Sequence, residues 1–244
     1  MLSKGQIYVC SDMEEGKTWL VSDERRCSMS YSIMSHKIVM KLQSLVYLPP
    51  EYANPSEKKW PLIVFLHGAG ERGSNIEDVK KYGIHKVIQE RDIPFIVVSP
   101  QCPENTVWEM HFTFIDDLIR EFSQLYRVDE SRIYLTGISM GGYGVWNYAL
   151  LNPNKFAAIV PVCGGAQYYW KVDSLKNTPV WAFHGQKDEA VPFSESKRVV
   201  DILEKCGGKV RFSVFPDAGH EVCTLAYEND ELYKWLMENK KNSD

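Results

Sequence analysis

The 244-residue chain reads as an α/β protein, with a mostly parallel central sheet and helices on both faces. Three observations predict this. From about residue 38 onward strand-like and helix-like patterns alternate, as they do when parallel strands are joined by helical crossovers. Four strand candidates, 62–67, 95–99, 158–162 and 180–184, are short continuous apolar runs, which suits strands covered on both faces. Hydrophobic residues make up 44% of the chain and charged residues 25%. That is ordinary globular usage, at a length that buries a sizeable core without disulfide or metal staples.

The elements follow in order. Residues 1–37 are irregular and carry the charged stretch Asp23-Glu24-Arg25-Arg26. They are expected to form a hairpin or extension packed on a main domain of 38–244. Segment 38–48 is long and mixed, as an edge strand would be. Strands are further expected at 132–136 and 210–215, and helices at 76–90, 140–151 and 226–240. Segment 111–126 sets Phe112, Ile115, Leu118, Ile119, Phe122 and Leu125 on one helical face. Segment 194–206 does the same with Val199, Ile202, Leu203 and Cys206, with Ser194 as cap and Gly207-Gly208 as stop. Ligands of such sheets bind at the carboxyl ends of the strands, so those loops hold the candidate site.

Charge and cysteine usage narrow the partners. The net charge is −4, with no basic stripe, which disfavours nucleic acid. No apolar run is long enough for a membrane span, and MLSKGQIYVC has no apolar signal core. The expectation is a cytoplasmic chain with no membrane partner, or a secreted one if a signal was removed. The six cysteines form no CxxC pair and read as buried reduced thiols; no metal or organic cofactor is expected.

The sharpest motif is Gly137-Ile138-Ser139-Met140-Gly141, a G-x-S-x-G between strand 132–136 and helix 140–151. A nucleophile elbow needs that placement, because its strained turn lifts the hydroxyl clear of the sheet. A serine hydroxyl also needs a base. Downstream stand His184, at the end of an apolar strand, and His220, in Asp217-Ala218-Gly219-His220 past the last strand. His184 reads as a packed strand-end residue and His220 as the base. The acid candidates are Asp188, Glu189 and Asp217, with Asp188 first because the end of strand 180–184 delivers it. The oxyanion needs two backbone donors; they are expected at Met140, after the nucleophile, and at Ala69, in the loop after strand 62–67. That loop also spells G-x-G-x-x-G at Gly68, Gly70 and Gly73, the dinucleotide fingerprint. A dinucleotide-binding oxidoreductase is therefore a remote alternative, weakened because the next strand ends Ser99-Pro100-Gln101, without an acid.

Taken as an ordered set, Tyr47-Leu48-Pro49-Pro50, PLIVFLHGAGERG at 61–73, RIYLTGISMGGYGVW at 132–146, HGQKDEAVP at 184–192 and AGH at 218–220 resemble bacterial α/β-hydrolase serine esterases. The resemblance is to the phospholipase/carboxylesterase and feruloyl-esterase-like branch, related to dienelactone hydrolases, and covers about 45–240. It implies an α/β-hydrolase fold, a triad of Ser139, Asp188 and His220, and an oxyanion hole at Ala69 and Met140. The implied activity is carboxylic ester hydrolysis on a small-molecule ester, through an acyl-enzyme. Feruloyl esterase, thioesterase or small-peptidase action by the same triad is the alternative.

Aromatic residues on the strand-end loops, Trp108 on 100–110 and Tyr168, Tyr169 and Trp170 on 163–178, are expected either to line the substrate pocket or to pack over the sheet edge. Tyr143 reads as core. Loop 163–178 leaves no room for a large cap domain, so the pocket is expected to be shallow and to favour short acyl or aryl groups.

Overall fold

A computed structural model describes residues 42–241, with the backbone of 8–12 and 17–21. The contacts divide the chain into two units, Met1–Val39 and Met40–Asp244. In the first, β1 (Tyr8–Asp12) and β2 (Lys17–Val21) pair antiparallel, which gives the expected hairpin. The expected packing of residues 1–37 on the main domain, and the start of strand 38–48, lie outside the described residues.

The second unit is built on one seven-stranded sheet. Its strands are β3 (Ser44–Tyr47), β4 (Trp60–Leu66), β5 (Ile96–Pro100), β6 (Val128–Ile138), β7 (Ala158–Val162), β8 (Val180–Gly185) and β9 (Val210–Phe215). Their spatial order is β3-β5-β4-β6-β7-β8-β9. Only β3 runs antiparallel, and it takes the expected edge place. The other pairings are parallel.

Every residue of β4, β5, β7 and β8 is buried, because helices cover both faces. Side chains alternate across each strand, so β4 feeds two cores. Leu62, Val64 and Leu66 pack with α2 (Phe112–Leu125), α3 (Met140–Leu151) and α4 (Ser194–Lys205). Ile63 and Phe65 pack with α1 (Ile84–Glu90), α5 (Val222–Glu228) and α6 (Asp230–Glu238). This is the α/β-hydrolase fold.

Five expectations need correction. Cys206, expected among the buried thiols and on the inner face of a 194–206 helix, is exposed at the C-cap of α4. The helix expected over 76–90 is two elements, a 3₁₀ turn at Ile76–Lys80 and α1, because Gly83 between them has φ +67°. A Cβ there would come within 2.6 Å of the Phe65 ring, so only glycine fits the break. The helix expected over 226–240 is α5 and α6, parted at Asn229, whose side chain caps α6 by accepting from Glu231 N at 3.0 Å. Leu125, expected on the inner face of α2, is 69% exposed at its C-terminus. Ser194 is the first residue of α4 rather than its cap; Phe193 takes that place with no side-chain hydrogen bond.

The connection from β7 to β8 carries only a short 3₁₀ turn, Tyr169–Leu175, with Val172 and Leu175 buried beneath it. No large cap domain is inserted there, as expected.

Candidate active site

Three strands deliver the expected site residues at their carboxyl ends. Ser139 follows β6, Asp188 follows β8 and His220 follows β9. Ser139 has φ 53° and ψ −116°, a conformation that costs a non-glycine residue on the order of 1–3 kcal/mol. Its backbone N–H is held by Val162 O at 2.9 Å. The flanking glycines permit the turn. A Cβ on Gly137 would lie 2.7 Å from Leu66 O, and one on Gly141 would overlap the same carbonyl.

His220 Nδ1 donates to Asp188 Oδ2 at 2.7 Å. This fixes the tautomer that leaves the Nε2 lone pair free of Asp188. The Asp188 side chain is wholly buried. Its Oδ1 accepts from Ala190 N at 2.9 Å and Val191 N at 2.8 Å. Burial alone would raise its pKa; the Val191 amide, His220 and the Ala190 amide together hold it below the usual carboxylate range. Among the described residues Ser139 Oγ forms no hydrogen bond to His220; triad contacts of that kind tighten when substrate is seated.

The rival acids behave differently. Asp217 pairs with Lys187 Nζ at 2.8 Å and is 94% exposed. Glu189 is exposed. His184 is buried, with Nδ1 against Ser196 Oγ at 2.7 Å and Nε2 against Val191 O at 3.0 Å.

Ala69 opens a 3₁₀ turn after β4 and Met140 opens α3. The first N–H groups of a helical turn have no partner within it, so both amides are of the kind an oxyanion can use. Trp108 and Gln101 brace this loop. Trp108 Nε1 donates to His67 O, and Gln101 Nε2 to Glu71 O, each at 2.9 Å. His67 Nε2 accepts from Cys102 N at 2.9 Å. Burial pushes His67 down to about 4, which keeps it neutral.

The fingerprint glycines therefore belong to a braced turn. No helix starts directly after Gly73; α1 begins at Ile84. That context does not suit a pyrophosphate.

The aromatic residues divide. Trp108 has no exposed surface and holds the loop after β4 through its bond to His67 O. Tyr169 is half-buried, its hydroxyl 3.4 Å from Glu195 Oε2, with the Arg198 guanidinium over its ring at 3.8 Å. Trp170 is 74% exposed. Tyr143, expected in the core, is half-buried and donates to Glu195 Oε2 at 3.1 Å.

Sequence reasoning missed two thiols. Cys223, at the start of α5, places Sγ 3.8 Å from His220 Nε2. Cys163 follows β7 with φ 46°, and it is buried. Hydrogen bonding from the Cys163 thiol, with His220 beside it, pushes Cys223 down to about 6 against the effect of burial. Cys163 is pushed well up by Cys223 and by burial. His220 is raised to about 9, first by Cys223 and then, against burial, by Asp188.

Known proteins resemble the chain in the same terms. A crystallised thermostable esterase superposes with a TM-score of 0.71 at 30% identity, over 97% of this chain and 63% of that one. A bifunctional acetylxylan esterase/xylanase of Neocallimastix patriciarum is 25% identical over 62% of this chain and 22% of its own length. Acyl-protein thioesterase 1 of Cryptococcus neoformans is 30% identical over 47% of this chain and 55% of its own. The chain thus spans from about a fifth to just over half of those two curated relatives. The pattern of the phospholipase/carboxylesterase family matches residues 104–229, just over half of the chain. That stretch runs through the elbow, the buried acid and the histidine, and it is to the phospholipase/carboxylesterase family of α/β-hydrolases that this chain belongs.

Proposed function

We propose that the chain is a serine carboxylesterase that cleaves short-acyl or aryl carboxylic esters through an acyl-enzyme. The Asp188–His220 hydrogen bond and a strained Ser139, each just past the carboxyl end of a parallel strand, carry the reading. Ser139 Oγ attacks the ester carbonyl while His220 Nε2 takes its proton. The carbonyl oxygen becomes an oxyanion facing the Ala69 and Met140 amides. The tetrahedral centre collapses, and His220 returns the proton to the departing alcohol. Water then enters by the same route in reverse, and the carboxylic acid leaves. Asp188 stays ionised throughout and stabilises the imidazolium.

The short β7–β8 connection supports short acyl groups, because a long chain needs an extended apolar groove. Of the aromatic candidates, Trp170 and Tyr169 flank the mouth in this reading, and Trp108 acts through the loop it supports. A thioester substrate is the second reading, favoured by the thioesterase relative. A cytoplasmic setting fits the free thiols of Cys102, Cys163, Cys206 and Cys223.

The test is a panel of paired oxygen esters and thioesters of rising acyl length, run with the native chain and with Ser139→Ala. A fluorophosphonate label is expected on Ser139 of the native chain and absent from the variant. The variant should lose on the order of 10⁶ in kcat. Higher kcat/KM for a long acyl chain than for acetate or butyrate would overturn the short-acyl assignment.

A further inference from the structure

We infer that Cys163, Cys223 and His220 form a site for a thiophilic d¹⁰ cation of the zinc class, and that the ion switches the hydrolase off. The three ligand atoms lie within 4.8 Å of one another. In a tetrahedral zinc site, bond lengths near 2.3 Å to sulfur and 2.0–2.1 Å to nitrogen put adjacent ligand atoms about 3.6–3.8 Å apart. Cys223 Sγ and His220 Nε2 are already 3.8 Å apart. Small side-chain shifts therefore close the site around an ion.

The donor set selects the metal. Two sulfurs and an imidazole suit zinc, cadmium or cuprous copper and reject magnesium and calcium, which take oxygen ligands. The surrounding shell is also in place. A metal-bound histidine is usually held by a carboxylate on its other nitrogen, and Asp188 holds His220 Nδ1 at 2.7 Å. The contact that readies Nε2 to take a proton from a serine readies the same lone pair for a metal. Three protein ligands leave a fourth position for water, and the His220 side chain, 34% exposed, opens the site to solvent.

A neighbouring cluster shows what this one has in addition. Cys163, His184 and Asp188 also converge, but all three are buried. There His184 has both ring nitrogens engaged, by Ser196 and Val191, and keeps no lone pair for an ion.

Binding is a ligand exchange. Two sulfur–metal bonds and one nitrogen–metal bond form, whatever protons the two sulfurs and His220 Nε2 carry pass to solvent, the ion sheds waters, and no electron moves. The Nε2 lone pair becomes a metal bond, so it no longer takes the Ser139 proton. Turnover itself needs no metal in this scheme.

The inhibitory half rests on His220 being the base; the binding half does not. The experiment therefore reads them separately, on the full chain with Cys206→Ser to remove an exposed thiol. Cadmium is titrated alone and followed by its ultraviolet thiolate-to-metal absorption. A band that saturates at one ion per chain is expected. Cys163→Ser and Cys223→Ser should each weaken it by about 100-fold or more. A band untouched by both substitutions overturns the site. In parallel, ester hydrolysis by the same chain should fall over the cadmium range that fills the band and return on adding a chelator. A band that fills while hydrolysis continues overturns the switch and, separately, counts against His220 as base. A chain that hydrolyses no ester at all leaves the absorption arm to decide the binding site.

Discussion

The end of β8 and the loop that leaves β9 each put a histidine beside the same carboxylate. His220 Nδ1 is 2.7 Å from Asp188 Oδ2, and His184 Nε2 is 3.4 Å from it. Their surroundings divide the labour. His184 has no exposed surface and both nitrogens occupied, and burial lowers its pKa. His220 keeps one nitrogen towards solvent and thiols, and Cys223 and Asp188 raise its pKa against burial. The side-chain type is the same at both positions. One ring is a strut because both of its nitrogens are held by groups of the interior; the other is free for the proposed chemistry because its second nitrogen meets only a thiol on a half-exposed side.

The largest test of this contrast is His220→Gln. It should cost on the order of 10⁶ in kcat, as loss of a triad base does elsewhere. A loss of less than a hundredfold would move the base to another residue. Next is the shared carboxylate. Asp188→Asn should lower kcat by ~10⁴, because an amide holds the wrong imidazole tautomer. Asp217→Asn should stay within about tenfold, since Asp217 faces Lys187 and solvent and does not hold the ring. A steeper loss in the Asp217 variant would reassign the acid.

The pH profile gives a smaller but more specific effect. The base works only when neutral, and His220 is raised to about 9, so kcat/KM should climb with pH through a limb near that value. Cys223 is the first cause of the rise. Cys223→Ala should therefore bring the limb down towards the ordinary histidine value of about 6.5, which extends activity to lower pH. A limb that stays in place would mean that the thiol does not act on the ring.

The smallest effect belongs to His184. His184→Gln leaves the Ser196 hydroxyl and the Val191 carbonyl to find new partners in a buried site. It should cost about 1–3 kcal/mol in urea denaturation and leave kcat within tenfold. A thousandfold loss of kcat with unchanged stability would make His184 part of the chemistry.

Local rules reached much of this from the residues alone. Apolar runs placed β4, β5, β7 and β8, because strands covered on both faces are nearly continuous in apolar residues. The elbow was legible because its G-x-S-x-G is contiguous in the chain and stands directly between a strand and a helix, although it is Leu66 O, from β4, that forces Gly141. What escaped depends on distant pairs. Gly83 breaks a helix because Phe65, from β4, occupies the space a side chain would need. Trp108 has an indole N–H that finds a carbonyl 41 positions earlier in the chain. Cys163 follows β7 and Cys223 lies in α5, and nothing in their spacing announces that both thiols meet at His220. A periodicity reading sees such residues as core, and by burial alone they are.

The glycine contacts at the elbow also bear on how this scaffold diversifies. Leu66 O touches the positions where Gly137 and Gly141 would carry side chains, and a Cβ on Gly68 would stand 3.5 Å from Ser139 Cβ. In the proposed mechanism, the spacing between the attacking oxygen and the amide cradle is thus gauged by main chain against main chain, with no intervening side chain to adjust. Replacing residues around the mouth, at Tyr169 or Trp170, leaves that gauge alone. The reacting centre works as a fixed die, and the loops around it are exchangeable tooling, free to accept new esters without a fresh alignment of the catalytic atoms.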